Sequence, residues 1–124
     1  MNTLTAYNDL KTILRGMEGI AFYQDSAPKN AIAPYVVFRL ESMVDTSPTT
    51  NATLKFMCYD DRNKLAKANI ETADKIHHKF NKTYRVFDTQ SYHSVLNIRQ
   101  VIPSEYLTDK QCIEMQFDVV IYNR

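Results

Sequence analysis

Between Ile113 and Ile121 the chain alternates without a break: Ile113, Met115, Phe117, Val119 and Ile121 are apolar, and Glu114, Gln116 and Asp118 between them are polar. Successive strand side chains point to opposite faces, so this run commits the C-terminal segment to a strand with one buried face and one wet face. Such a strand belongs in an antiparallel sheet that is covered on its apolar side.

Other segments supply the partners. Tyr35 to Val44 follows Pro34 and is rich in β-branched and aromatic residues, which marks a strand. Leu54, Phe56 and Cys58 alternate with Lys55, Met57 and Tyr59 in a second strand that ends at Asp60 and Asp61. Between them Asp45 to Thr53, DTSPTTNAT, is polar. It reads as an extended hairpin loop, longer than the ~2–5 residues a simple turn requires. Ile20 to Tyr23 is a short edge strand, and Gln24 to Ala33 is a loop. Tyr84, Val86 and Asp88 suggest another short strand. Val95 to Ile102 is a further one, interrupted by Pro103, with a turn region over Ser104 to Lys110.

Helical spacing appears twice. Leu4, Tyr7, Leu10, Ile13, Leu14 and Met17 recur at three- and four-residue steps along one stripe. Asn2 or Thr3 is placed to cap this helix, and Gly16 and Gly19 offer left-handed conformations that end it. A second helix is expected over roughly Arg62 to Phe80, with Asp60 and Asp61 favourable near its N-terminus and Asn81 and Lys82 breaking it. Leu65, Ala66, Asn69, Ala73, Ile76 and Phe80 share its apolar face. Lys64, Lys67, Glu71, Asp74, Lys75, His78 and Lys79 share the opposite one, where Lys67–Glu71 and Glu71–Lys75 form four-residue pairs. Asn69 is out of place on the apolar arc and should find a partner or contact another subunit. The order helix, strands, helix, strands gives an α+β fold. It implies a mainly antiparallel sheet of about four to five strands, with an N-terminal helix and a long central helix packed on one face.

Composition narrows the function classes. The 124 residues make one domain spanning 1–124, and a net charge of +1 lacks the basic excess that general nucleic-acid binding uses. The two glycines leave almost nothing for a phosphate-cradling loop, so no nucleotide or other cofactor is expected. Cys58 and Cys112 sit in no CxxC or Cys-His cluster and read as reduced, buried thiols. No run approaches the ~20 apolar residues of a membrane span, and Met1 to Leu10 lacks a signal-peptide pattern. The expectation is a soluble protein made in a reducing cytoplasm.

Site chemistry is sparse. His77 and His78 point about 100° apart on a helix, whereas helical chelation uses a four-residue step, so neither they nor His93 is read as a metal ligand. The Asp60–Asp61 pair reads as helix-terminus electrostatics before a metal or general-base site. Cys58 shares its strand side with Leu54 and Phe56 and is expected in the core. The basic and aromatic KFNKTYR, Lys79 to Arg85, has the makings of a phosphate contact but reads better as a solvated helix end. No hydrolase, P-loop or Rossmann spacing occurs. The eight tyrosines divide between interface anchors and core.

Two segments together resemble a known family. APYVVFRL, Ala33 to Leu40, follows about thirty residues of helix and loop. A strand, Leu54 to Tyr59, then runs through Asp60 and Asp61 toward AKANIETADKI, Ala66 to Ile76. This order resembles the tail-completion proteins of long-tailed bacteriophages and prophages, the head-tail joining or tail-terminator subunits, over Leu4 to about Tyr122. Members are often glycine-rich before the first strand, where Gln24 to Ala33 has no glycine.

The resemblance implies a non-enzymatic virion protein, assembled in the host cytoplasm and placed in the tail neck. It would form a ring, usually a hexamer, that caps the tail tube and joins a head-completion or connector protein while double-stranded DNA passes without specific binding. On that reading Asp45, Thr46, Ser47, Pro48, Thr49, Thr50 and Asn51 form a loop that reaches a neighbouring subunit or the tube; the alternative is an idle hairpin. Glu71, Asp74 and Glu114 are the acidic candidates for the lumen or ring contacts. The competing function is a small α+β nuclease or toxin using His93, Tyr92 and Arg99. An RNA-binding sheet lacks its glycine-and-aromatic strand signature.

Overall fold

The computed structural model describes residues 3–17, 19–32, 34–46, 49–61, 67–86, 90–102 and 110–123. In chain order the elements are α1 (Thr3–Arg15), β1 (Phe22–Gln24), β2 (Tyr35–Thr46), β3 (Thr49–Asp61), α2 (Lys67–Phe80), β4 (Thr83–Val86), β5 (Gln90–Ile102) and β6 (Lys110–Asn123). The α+β class holds.

The strands form one six-stranded sheet in the order β1-β2-β3-β6-β5-β4. The expected four to five strands are therefore too few. Every described pairing is antiparallel except that of β1 with β2. The alternating C-terminal strand lies near the middle of the sheet, paired with β3 from Thr49↔Tyr122 to Asp61↔Lys110 and with β5 on its other side. The expected long central helix is also corrected: α2 has 14 residues, hardly more than the 13 of α1. Residues 62–66, given to that helix from its periodicity, lie outside the described residues.

The polar DTSPTTNAT segment is not an extended loop. Asp45 and Thr46 still pair with Thr50 and Thr49, so β2 and β3 stay paired to Thr46↔Thr49, and residues 47–48 lie outside the described residues. Threonine is a good strand former, and β6 lies alongside β3 over the same stretch, so the backbone groups have partners that polarity alone did not reveal.

Both helices cover one face of the sheet. Its core joins Leu10 and Leu14 of α1, Ala73, Ile76 and Phe80 of α2, and inward strand residues including Val36, Phe38, Leu54, Phe56, Met115, Phe117 and Ile121. Phe56, Phe80 and Phe117 form an aromatic knot with centroids 5.3–6.0 Å apart, within the range that favours tilted and edge-to-face contact. Leu4 and Tyr7, expected on the same stripe as Leu10, have side chains outside those described.

Helix ends follow local chemistry. Only Gly19 of the two glycines takes a left-handed backbone, at φ 80°, while Gly16 donates its N–H back to Thr12 and Ile13. After α2 the left-handed residue is Lys82, at φ 55°. Asn81 Oδ1 then accepts the Leu96 N–H at 3.0 Å, and Ser94 Oγ donates to the Phe80 carbonyl, so β5 holds the end of α2.

The thiols lie on neighbouring strands but on opposite sides. Cys58 pairs with Ile113 and faces the core, whereas Cys112 pairs with Tyr59 and faces the other way. Burial, foremost, pushes them up to about 12 and about 11. Both are inert, unbonded thiols in this fold.

Candidate assembly edges and the open face of the sheet

The outer strands leave each side of the sheet only half covered. β1 pairs with Val36–Phe38 alone, so among the described residues the outer side of β2 has no strand neighbour beyond Phe38. On the far side β4 pairs with Ser91–Ser94 alone, and the Leu96 N–H goes to Asn81. From Asn97 onward β5 is the border of the sheet among the described residues. Each uncovered stretch contains a register shift, at Glu41/Val44 in one and Leu96/Ile98 in the other. Bulges at sheet borders limit indiscriminate edge pairing, and they also give each edge its own shape.

The two edges differ. The β2 edge presents Val44, 56% exposed, next to Asp45, with Glu41 one bulge earlier. The β5 edge presents Ile98, 39% exposed, between Asn97 and Arg99. Val44 and Ile98 are opposite Asn51 and Gln116, which places both on the face away from α1 and α2.

That open face is zoned. At one end Tyr23 meets Tyr35 edge-to-face and Tyr35 meets Tyr59 at a tilt, with centroids 5.9 and 5.2 Å apart. The 24–32 segment folds against them, leaving Tyr35 and Val37 buried although, among the described residues, no helix covers this side. Burial, foremost, lifts the Tyr59 phenol to about 12. In the middle Glu114 is buried and receives Lys55 Nζ at 2.7 Å and Gln100 Nε2 at 2.7 Å. Burial pushes its carboxyl up, but the hydrogen bonds from Lys55 and Gln100 and the Lys55 charge hold it below its ordinary value. At the other end Tyr84 meets His93 at a tilt, with centroids 6.4 Å apart, and Tyr84 and Tyr122 are exposed.

On the helix-bearing face an ion-pair cluster ties α1 to the strands. Asp9 accepts Arg85 Nε and Nη2 at 3.1 and 3.0 Å, and the Tyr92 hydroxyl donates to the same carboxylate at 2.5 Å. Burial raises the Asp9 carboxyl, yet the hydrogen bonds from Arg85 and Tyr92 and the Arg85 charge leave it below its usual range. Burial and the Asp9 acceptor raise the Tyr92 phenol.

The sequence-derived site residues do not converge. Asp45, Thr46, Thr49, Thr50 and Asn51 belong to the β2–β3 hairpin, and Ser47 and Pro48 lie outside the described residues. Glu71 and Asp74 are exposed on α2, with Asp74 bound to Arg99 at 2.7 Å, whereas Glu114 is buried on the opposite face. The three acids line no common surface.

The makeshift nuclease set also separates. Tyr92 turns to Asp9 on the helix side, His93 lies against Tyr84 on the open side, and Arg99 joins Asp74 with its Nη1 3.4 Å from His77 Nδ1. His77 and His78 border a shallow depression with Asp74 and Asn81. Among the described residues no group of three His, Cys, Asp or Glu side chains is placed to hold a metal ion, and no helix is long and apolar enough to cross a membrane.

Asn69 found neither partner foreseen for it: it is 1% exposed, so it touches no second subunit, and neither amide atom has a hydrogen-bond partner. Two features escaped the sequence reading. Arg39 follows Tyr35 and Val37 at two-residue steps, so an alternation count along β2 places it on the open face. The Asp9–Arg85–Tyr92 cluster spans 83 residues and has no local signature.

No protein-family model matches the chain, and no curated protein matches it.

Proposed function

We propose that this chain is a structural subunit of a bacteriophage tail neck, a tail-completion protein that joins copies of itself into a ring, in this family usually a hexamer. The ring caps the tail tube, meets a head-completion or connector protein, and lets double-stranded DNA through without gripping it.

The observation that carries the reading is the pair of dissimilar, half-covered sheet edges on opposite sides of one subunit. A heterologous ring needs two different surfaces that complement each other, and a strand edge meeting another strand edge supplies hydrogen bonds along its whole length. The exposed Val44 and Ile98 add an apolar contact beside each edge on the same face. The order of elements around the PYVVF strand supports the family assignment, and a net charge of +1 suits a subunit past which DNA slides.

Sedimentation and light scattering test it. The purified chain should give a ring-sized species, or monomers that cosediment with purified tail tubes. A stable monomer that never joins tubes contradicts the proposal.

A further inference from the structure

Beneath the 24–32 segment, on the open face of β2 and β3, lies a cleft of about 460 Å³. Tyr35, Met57 and Tyr59 form apolar and aromatic parts of its lining, and Arg39, Lys29 and Asp25 are its charged groups. A cleft of this size with apolar walls and a few directed polar groups has the form of a binding site. Its composition of tyrosine, methionine and arginine is that of interface centres.

One group in it is unsatisfied. Arg39 Nε is shielded from solvent and has no hydrogen-bond partner, and among the described residues Arg39 makes no ion pair. A buried N–H without an acceptor costs free energy, and a guanidinium has donors only. The Tyr59 hydroxyl donates to the Met57 sulfur at 3.4 Å, a weak acceptor that an oxygen would displace. The cleft thus holds a donor, Arg39 Nε, that none of its own acceptors, the Asp25 carboxylate included, reaches.

We infer that this cleft receives an acidic side chain of a partner polypeptide, with the carboxylate on Arg39 and the neighbouring apolar part of the segment against Tyr35, Met57 and Tyr59. The charge balance favours a single carboxylate over a polyanion: Asp25 lines the same cleft, and Glu41 follows Arg39 two residues along the strand. The partner differs from this chain, because the cleft lies over the part of β2 that β1 covers and away from the uncovered edges through which copies would join. The inference is separate from the ring: the cleft and the unpaired Arg39 Nε–H exist in one subunit.

The test uses the full chain and NMR of arginine Nε–H groups, with the Arg39 signal assigned by its loss in Arg39→Lys. The probes are acetyl-Leu-Glu-amide, acetyl-Leu-Gln-amide and inorganic phosphate. The Glu peptide should shift the Arg39 Nε–H and the Tyr35 and Tyr59 ring signals saturably. The Gln peptide should bind roughly tenfold more weakly or worse, since it lacks the hydrogen bond to a charged acceptor. Tyr59→Phe, which keeps the ring, should weaken the Glu peptide while leaving the amide spectrum intact.

Equal binding of the two peptides, tighter binding of phosphate, or no saturable change at Arg39 overturns the inference. So does self-association without peptide that Arg39→Lys abolishes, which would assign the cleft to a second copy. Ring assembly that proceeds in Arg39→Lys separates this result from the fate of the proposed function.

Discussion

Single residues show where this fold places its polar chemistry under strain and where it rewards it. Asp9 holds a buried tyrosine hydroxyl and a guanidinium at once. Asp9→Ala should therefore cost about 1–3 kcal/mol, the usual range for leaving a buried donor, here the Tyr92 hydroxyl, without its charged acceptor. The double variant Asp9→Ala/Tyr92→Phe should recover part of that loss in urea melts, because the phenol no longer needs the missing carboxylate. The same carboxyl sets a pH dependence. Its folded value lies below the ordinary 3.8, so its contribution is complete above about pH 4 and is lost as pH falls through the folded value. A urea midpoint that drops across that acid window in the native chain, and drops less in Asp9→Ala, is the expected result. Asn69 is the opposite case. It buries an amide with no partner on the inner face of α2, so Asn69→Leu should stabilise the chain by about 1 kcal/mol or more, measured by thermal unfolding.

At the level of elements, the alternation of Ile113 to Ile121 was legible because a strand with one buried face must show it, and β6 lies where both neighbours can use it. The β2–β3 hairpin was misread as a long loop. Thr49, Thr50, Asn51 and Thr53 look like turn residues by polarity, but their backbone pairs with both β2 and β6, and pairing is a tertiary fact that no local window contains. β1 was visible as a short edge piece, yet its parallel pairing with β2 was not, because direction depends on how the 25–34 segment returns across the sheet. The edges are also the level at which assembly is testable. Ile98→Lys places a charge beside the β5 edge at a surface site, where substitutions usually change stability by less than about 0.5 kcal/mol. It should leave the melting curve unchanged and abolish the ring-sized species in light scattering.

For the whole molecule, the layered plan was readable from the helix and strand periods, whereas the shapes of the two sheet edges and the zoning of the open face were not. Glu71, Asp74 and Glu114 were grouped by charge alone, and the fold sends them to opposite faces and neutralises Glu114 with Lys55. The tyrosines sort in a way that composition could not reveal: Tyr92 is core, Tyr23, Tyr35 and Tyr59 floor one end of the open face, and Tyr84 and Tyr122 are exposed at the other. Among the described residues both helices lie on one face, the 24–32 segment folds over one end of the other, and the two edges are unlike, which is the arrangement the proposed ring would use. Electron microscopy of the purified chain, alone and on tail tubes, tests this most directly. The account predicts closed rings with a central hole wide enough for duplex DNA, and particles that remain single subunits in both samples would contradict it.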